Sequence, residues 1–156
     1  MERQAPAVAG RLNQDRITGA SHCFSGHTLA LLLDAQLQGQ DFSEPWIGAG
    51  ILLTALGRGG DDLTPESAAR FSFFDVDYTS IRSPILVACG AEDHPHVTPR
   101  GPEWHADAFT DAPGANALLM IAGVGHGLGG IAGLDAKETE AEAPDAHDAT
   151  RRLTYA

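Results

Sequence analysis

Four short apolar runs constrain this chain more than any other feature: residues 16–20 (RITGA), 47–54 (IGAGILLT), 84–89 (PILVAC) and 117–122 (ALLMIA). Each is separated from the next by well over the two to five residues that a hairpin needs. Strands joined by connections of a dozen or more residues pair in parallel, which places the chain in the α/β class. Crossovers of that kind are right-handed almost without exception, so the expectation is a parallel sheet with right-handed helical crossovers.

The intervening segments fit this layout. Residues 24–38 carry Leu29, Leu32, Leu33 and Leu37 at helical spacing, with Ala30 and Ala35 between them, and are expected to form a helix. Residues 39–45 read as loop. In the turn-rich stretch 57–65, Thr64 is placed to cap a short helix that starts at Pro65. Glycines and prolines make residues 90–102 a loop, residues 103–109 read as a helical turn or two, and GVGHGLGGIAG after the fourth run is again loop. The acidic run 135–148 reads as a solvated linker before a last helix that starts near Asp145 and runs to Ala156. Residues 1–14 lack periodicity and are assigned to an N-terminal arm, leaving 15–156 as one domain. A chain of 156 residues with 43% hydrophobic content is sufficient for a single core.

Charge excludes some classes of partner. Lys and Arg total 10 against 21 for Asp and Glu, a formal net charge of -11, so the average field repels phosphate backbones and anionic membrane surfaces. Neither nucleic acid nor membrane is an expected partner. Cys23 and Cys89 have the spacing of neither a zinc site nor a disulfide framework. His94 and His96 flank Pro95 without a convincing third ligand, so no metal is expected. With neither a leader-like apolar run nor a membrane span in the sequence, the expected compartment is the cytoplasm.

In parallel α/β sheets ligands bind beyond the carboxyl ends of the strands. Three chemistry-bearing residues follow the predicted strands: Cys23 after the first, Asp93 in GAED after the third and His126 in GVGH after the fourth. Cys23 lies between a short extended run and an apolar helix, among small residues, as a nucleophile does on a strand-to-helix elbow. Cys89, inside PILVAC, reads as a buried hydrophobe. His126 between glycines has little core to fill, which favours a chemical role. The order nucleophile, acid, histidine is that of α/β-hydrolases.

The stretches DRITGASHCFSGHTLALLL, GRGGDDLTPE, GAEDHPHVTPRGPEWHAD and GVGHGLGG resemble the C-terminal half of an α/β-hydrolase of the chlorophyllase-like or dienelactone-hydrolase-like branch. In such relatives the elbow commonly reads G-H-S-F-G-G-H. Laid on residues 21–27 without gaps it becomes S-H-C-F-S-G-H, with Cys23 at the nucleophile position and Ser21 and Ser25 where glycines are usual. The resemblance implies a truncated α/β-hydrolase fold whose strands are equivalent to the last four, and a single partial domain over 15–156.

The activity implied is hydrolysis of a small carboxylic ester or lactone by a Cys23–His126–Asp93 triad, with no cofactor. The backbone N–H of Phe24 would stabilise the oxyanion, and a second donor would come in such relatives from a segment ahead of the residues matched. His22, His27 and Trp104 are candidates for the substrate pocket. Ser21 is the reserve nucleophile, and Asp61 and Asp62 are the reserve acids. Two features leave room for an alternative, a catalytically impaired hydrolase fragment acting as a binding or assembly module. The serines stand at glycine positions, and the resemblance leaves the N-terminal half of the fold unmatched. Residues 16–20 would also become a sheet edge, open to a second copy of the chain.

Overall fold

The computed structural model describes residues 10, 13, 15–131 and 143–154. The predicted arm therefore lies outside the described residues except at Gly10 and Asn13, as do residues 135–142 of the acidic run. All four expected strands form: β1 (Ile17–His22), and, separated from it by a helix and a small hairpin, β4 (Ile47–Leu53), β6 (Ile85–Gly90) and β7 (Ala115–Ile121). They make one sheet in the order β1-β4-β6-β7, and every neighbouring pair is parallel. The central strand β6, ILVACG, is buried at five of its six positions, as a strand covered on both faces must be.

Alternation along the strands divides the core between two faces. Leu52, Ile85, Val87 and Cys89 point to one face, where they meet Leu29 and Ala30 of helix α1 (Phe24–Leu32), Leu33 just after it, and Ala108 and Ala112 of the α3 segment (helix Asp107–Asp111). Leu53 and Ala88 point to the other, beneath Val124, Leu128, Ala143 and Ala146. The last of these belongs to α4 (Pro144–Thr154), so the C-terminal helix lies over the loop that follows β7. The result is a helix–sheet–helix layering. No helix among the described residues is long and apolar enough to cross a membrane.

Several local expectations need revision. The helix predicted over 24–38 stops at Leu32, because the chain reverses at Asp34 with φ 77. Residues Gln36–Leu37 (β2) then pair with Gln40–Asp41 (β3) through a two-residue turn in which Gln38 and Gly39 both have positive φ, 53 and 74. Two positive φ values match the strand twist in a tight hairpin, and glycine adopts one without cost. The segment Val76–Asp77 (β5) completes this small antiparallel sheet. By contrast, helix α2 (Pro65–Arg70) begins as expected, with the Thr64 hydroxyl accepting from the Ser67 amide and Pro65 in the first turn. The final helix begins at Pro144, one residue ahead of the expected start.

Candidate active site

The carboxyl ends of the four parallel strands open on one side of the sheet, where a cleft of about 520 Å³ is lined by Cys23, Asp93, His105 and His126. Leu56, Val97 and Trp104 form its apolar wall, and the exposed His94 and His96 stand at its rim.

Cys23 links β1 directly to α1 with φ 56 and ψ -130. A non-glycine residue in that region costs on the order of 1–3 kcal/mol and persists only where its surroundings hold it. Two contacts do so. The Cys23 amide donates to Leu53 O at 2.9 Å, extending the parallel ladder into the turn. Gly26, one turn into the helix, lies so close to the segment after β4 that an added Cβ would come within 2.7 Å of Ala55 Cβ. The close-packing glycine of this elbow is thus Gly26, which explains why serine is tolerated at 25: its hydroxyl points back and donates to His22 O at 2.7 Å.

The sulfur sits at the N-terminus of α1, where the Phe24 amide hydrogen-bonds it, and the His126 imidazole hydrogen-bonds it as well. His126 lowers the thiol pKa most, and it outweighs the burial that opposes ionisation. Cys89 lies at the other extreme, pushed up to about 12 by burial in the sheet.

His126 is held from both ends. Its carbonyl accepts from His22 Nε2 at 2.8 Å and from the Thr54 hydroxyl at 3.3 Å. Its Nδ1 donates to Asp93 Oδ2 at 2.8 Å. Hydrogen bonding to Asp93 first, and then to Cys23, raises its pKa to about 10 against the opposing effect of burial. The loops that carry the pair are tied together by the Glu92 amide donating to Val124 O at 2.9 Å. Burial alone would raise the Asp93 carboxyl, but the imidazoles of His105 and His126 overcome it and hold the group well below the usual carboxylate range.

Cys23, His126 and Asp93 therefore come together as a continuous line of contacts, and Trp104 joins the cleft wall. The other sequence candidates do not line it. His22 stands behind His126 as a donor to its carbonyl, a positioning contact rather than a pocket wall. His27 is buried beneath Phe24, ring centroids 5.5 Å apart, and donates to Phe73 O at 2.7 Å. Ser21 lies within β1, paired in register with Leu52. Asp62 is committed to Arg58 and Arg100 at 3.0 and 2.9 Å, and Asp61 lines a separate surface cavity.

Sequence reasoning missed His105. The 3₁₀ segment Pro102–Ala106 buries it almost completely, with Nδ1 2.6 Å from Ala55 O and Nε2 3.1 Å from Asp93 Oδ2. The latter approach is too poorly aligned for a hydrogen bond, and Nε2 is the buried side-chain polar atom that lacks one among the described residues. The signal was present in EWHADAF, where a histidine beside a buried tryptophan needs a polar partner inside the fold. Next along the helix, buried Asp107 anchors the segment by accepting two hydrogen bonds from Arg100, both at 2.8 Å, and one from the Arg58 amide at 2.9 Å.

Neither a protein-family model nor a curated protein matches the sequence.

Proposed function

We propose that the four parallel strands correspond to the last four of an α/β-hydrolase sheet, and that the protein hydrolyses a small carboxylic ester or lactone through Cys23. The observation that carries this reading is the strained Cys23 turn, whose thiol meets His126 while His126 meets Asp93. Strain at a non-glycine residue is found where geometry serves chemistry.

In the first step the Cys23 thiolate attacks the carbonyl carbon, and the π pair moves onto oxygen, where the Phe24 N–H can donate to it. Collapse expels the alkoxide, which takes a proton from the His126 ring nitrogen facing the sulfur. Water then attacks the thioester, gives its proton to the same nitrogen, and the sulfur leaves again as thiolate. Asp93 holds the ring through Nδ1 and offsets its positive charge. The apolar wall of Leu56, Val97 and Trp104 would accept the acyl or alcohol side chain. The two free cysteines fit a reducing compartment, and we assign the protein to the cytoplasm.

Turnover of short-chain p-nitrophenyl esters by wild type, Cys23→Ala and Ser21→Ala tests this. Hydrolysis by the wild type and Ser21→Ala but not by Cys23→Ala is expected. Equal turnover in wild type and Cys23→Ala would sink the thiol mechanism.

A second reading, an assembly module, is favoured by the position of β1 as an edge strand of the main sheet. Among the described residues the outer edge of β1 has no strand beside it, and such an edge is a template for another strand, here that of a second copy. Sedimentation equilibrium decides: a strict monomer at high concentration removes this reading.

A further inference from the structure

We propose that Asp93, His105 and His126 bind a divalent transition-metal ion of the Zn²⁺ class, and that occupancy of this site switches the Cys23 chemistry off. The switching clause rests on the hydrolase reading above; the binding site does not.

The argument begins at His105. Its Nδ1 faces a carbonyl oxygen, Ala55 O at 2.6 Å, and a carbonyl can only accept. The ring proton of a neutral imidazole is therefore on Nδ1, and the Nε2 lone pair is left to point into the site. That atom is buried, lacks a hydrogen-bond partner among the described residues, and stands 3.1 Å from a carboxylate oxygen. With the ring neutral, a lone pair faces a carboxylate oxygen, and a cation between them, a proton or a metal ion, resolves the conflict. A histidine that gives one N–H to a backbone carbonyl and presents the other nitrogen is oriented as metal-binding histidines are.

The remaining donors are close at hand. One ligand atom from each of Asp93, His105 and His126 lies within 4.8 Å of the others. With metal–ligand bonds of about 2.0–2.1 Å, tetrahedral donors sit about 3.3–3.4 Å apart. The observed 2.8 Å from Asp93 to His126 and 3.1 Å from Asp93 to His105 need to open by a few tenths of an ångström, while the two imidazole nitrogens, within 4.8 Å of each other, need to settle near the same tetrahedral spacing. His126 is the most exposed of the three, and with its carbonyl held by His22 and Thr54 it is the side chain that has to turn to supply that movement. Two imidazoles and one carboxylate suit zinc and its neighbours better than calcium or magnesium, which prefer all-oxygen shells. The cleft leaves the fourth position to water.

The consequence for catalysis follows from which nitrogen is taken. A metal on His126 Nδ1 displaces the proton shared with Asp93, and the neutral ring then carries its proton on Nε2, toward Cys23. Giving that proton to the leaving alkoxide would leave a metal-bound imidazolate instead of a neutral ring, so His126 no longer serves as the acid, and the Asp93 contact that orients it is spent on the metal.

The test is equilibrium dialysis and calorimetry of chelator-treated protein with Zn²⁺ and Co²⁺, alongside ester turnover of the same sample. One equivalent is expected to bind, and Cys23→Ala is expected to retain it. His105→Gln and Asp93→Asn should weaken binding at least tenfold, while His94→Ala with His96→Ala leaves it unchanged. Should His105→Gln fail to fold, imidazole ¹⁵N shifts in the wild type decide: Zn²⁺ should move His105 Nε2 and His126 Nδ1 but not the rim histidines. No stoichiometric binding, or binding carried by His94 and His96, overturns the site. Turnover in chelated protein that vanishes with one equivalent of Zn²⁺ and returns with chelator supports the switch. Turnover that persists with metal bound overturns it. Metal binding without turnover in any form leaves the site standing and removes the hydrolase reading.

Discussion

The amide of Cys23 donates to the carbonyl of Leu53 at 2.9 Å, so the parallel ladder between β1 and β4 continues past the last residue of β1 and into the strained turn. The sulfur is thus placed by backbone bonds and not only by side-chain packing.

Strain at position 23 predicts an ordering of variants. Cys23→Gly adopts φ 56 freely whereas Cys23→Ala does not, so the glycine variant should be more stable than the alanine variant by about 1 kcal/mol. Urea midpoints of the two proteins check it, and a more stable alanine variant would contradict the strain.

Thiol reactivity supplies a second prediction. Because His126 lowers the Cys23 pKa, iodoacetamide alkylation of Cys23 should persist at pH values below the ordinary thiol range of about 8.5. Cys89, held near 12, should react only on unfolding. In His126→Ala the alkylation midpoint of Cys23 should climb toward the free-thiol value, as peptide mapping across pH would report.

Much of this arrangement was legible in the sequence because parallel strands leave a strong mark. Long connections between apolar runs specify both the sheet and the side on which Cys23, Asp93 and His126 emerge. Thr64 and Pro65 marked a helix start for the same local reason that makes them good at it. What escaped depended on backbone sign or on contacts distant in sequence. Asp34 ends α1 through a positive φ that leucines at 33 and 37 disguise. Gln38 in the hairpin turn lacks the Asn or Asp that usually signals such turns. His105 finds Asp93 and Ala55 only after folding, and the one local hint, the tryptophan beside it, does not say which partners it meets. His27 misled in the opposite direction: next to the elbow in sequence, it turns with the helix into the aromatic cluster of Phe24, Phe73 and Phe74.

Electrostatic support of the His105 segment can be tested through Asp107. Removing the buried carboxylate leaves Arg100 with Asp62 as its close partner at 2.9 Å and strips the Arg58 amide of its acceptor, so Asp107→Ala should cost about 1–3 kcal/mol. Chemical denaturation measures the loss. A change below about 1 kcal/mol, the range of exposed pairs, would show that solvent replaces the carboxylate.

The pH dependence of stability separates His126 from its partners. Its folded pKa is raised, so the stability it contributes is fully present below the unfolded value of about 6.5 and declines as pH rises toward the folded value, about 10 in the wild type. The lowered Cys23 thiol contributes with opposite sign over part of that window, and the cleaner comparison is therefore made in Cys23→Ala. There, stability should fall above about pH 6.5, and adding His126→Ala should flatten the curve. Thermal melts across pH give the result, and identical curves would refute the His126 assignment.

The loop that carries His126 has a second dependence, on the far end of the chain. The Ala143 amide reaches Gly129 O at 3.4 Å, and Ala143 and Ala146 pack over Leu128, so the ground beneath His126 is partly α4. Undocking of that one helix would take His126 away while leaving the sheet, the turn and Cys23 in place. Amide protons of residues 124–131 should then exchange together with those of α4 and ahead of β4 and β6, as one cooperative unit set apart from the rest of the fold. Under the proposed hydrolase reading, activity would be lost in a partial opening well before the molecule unfolds.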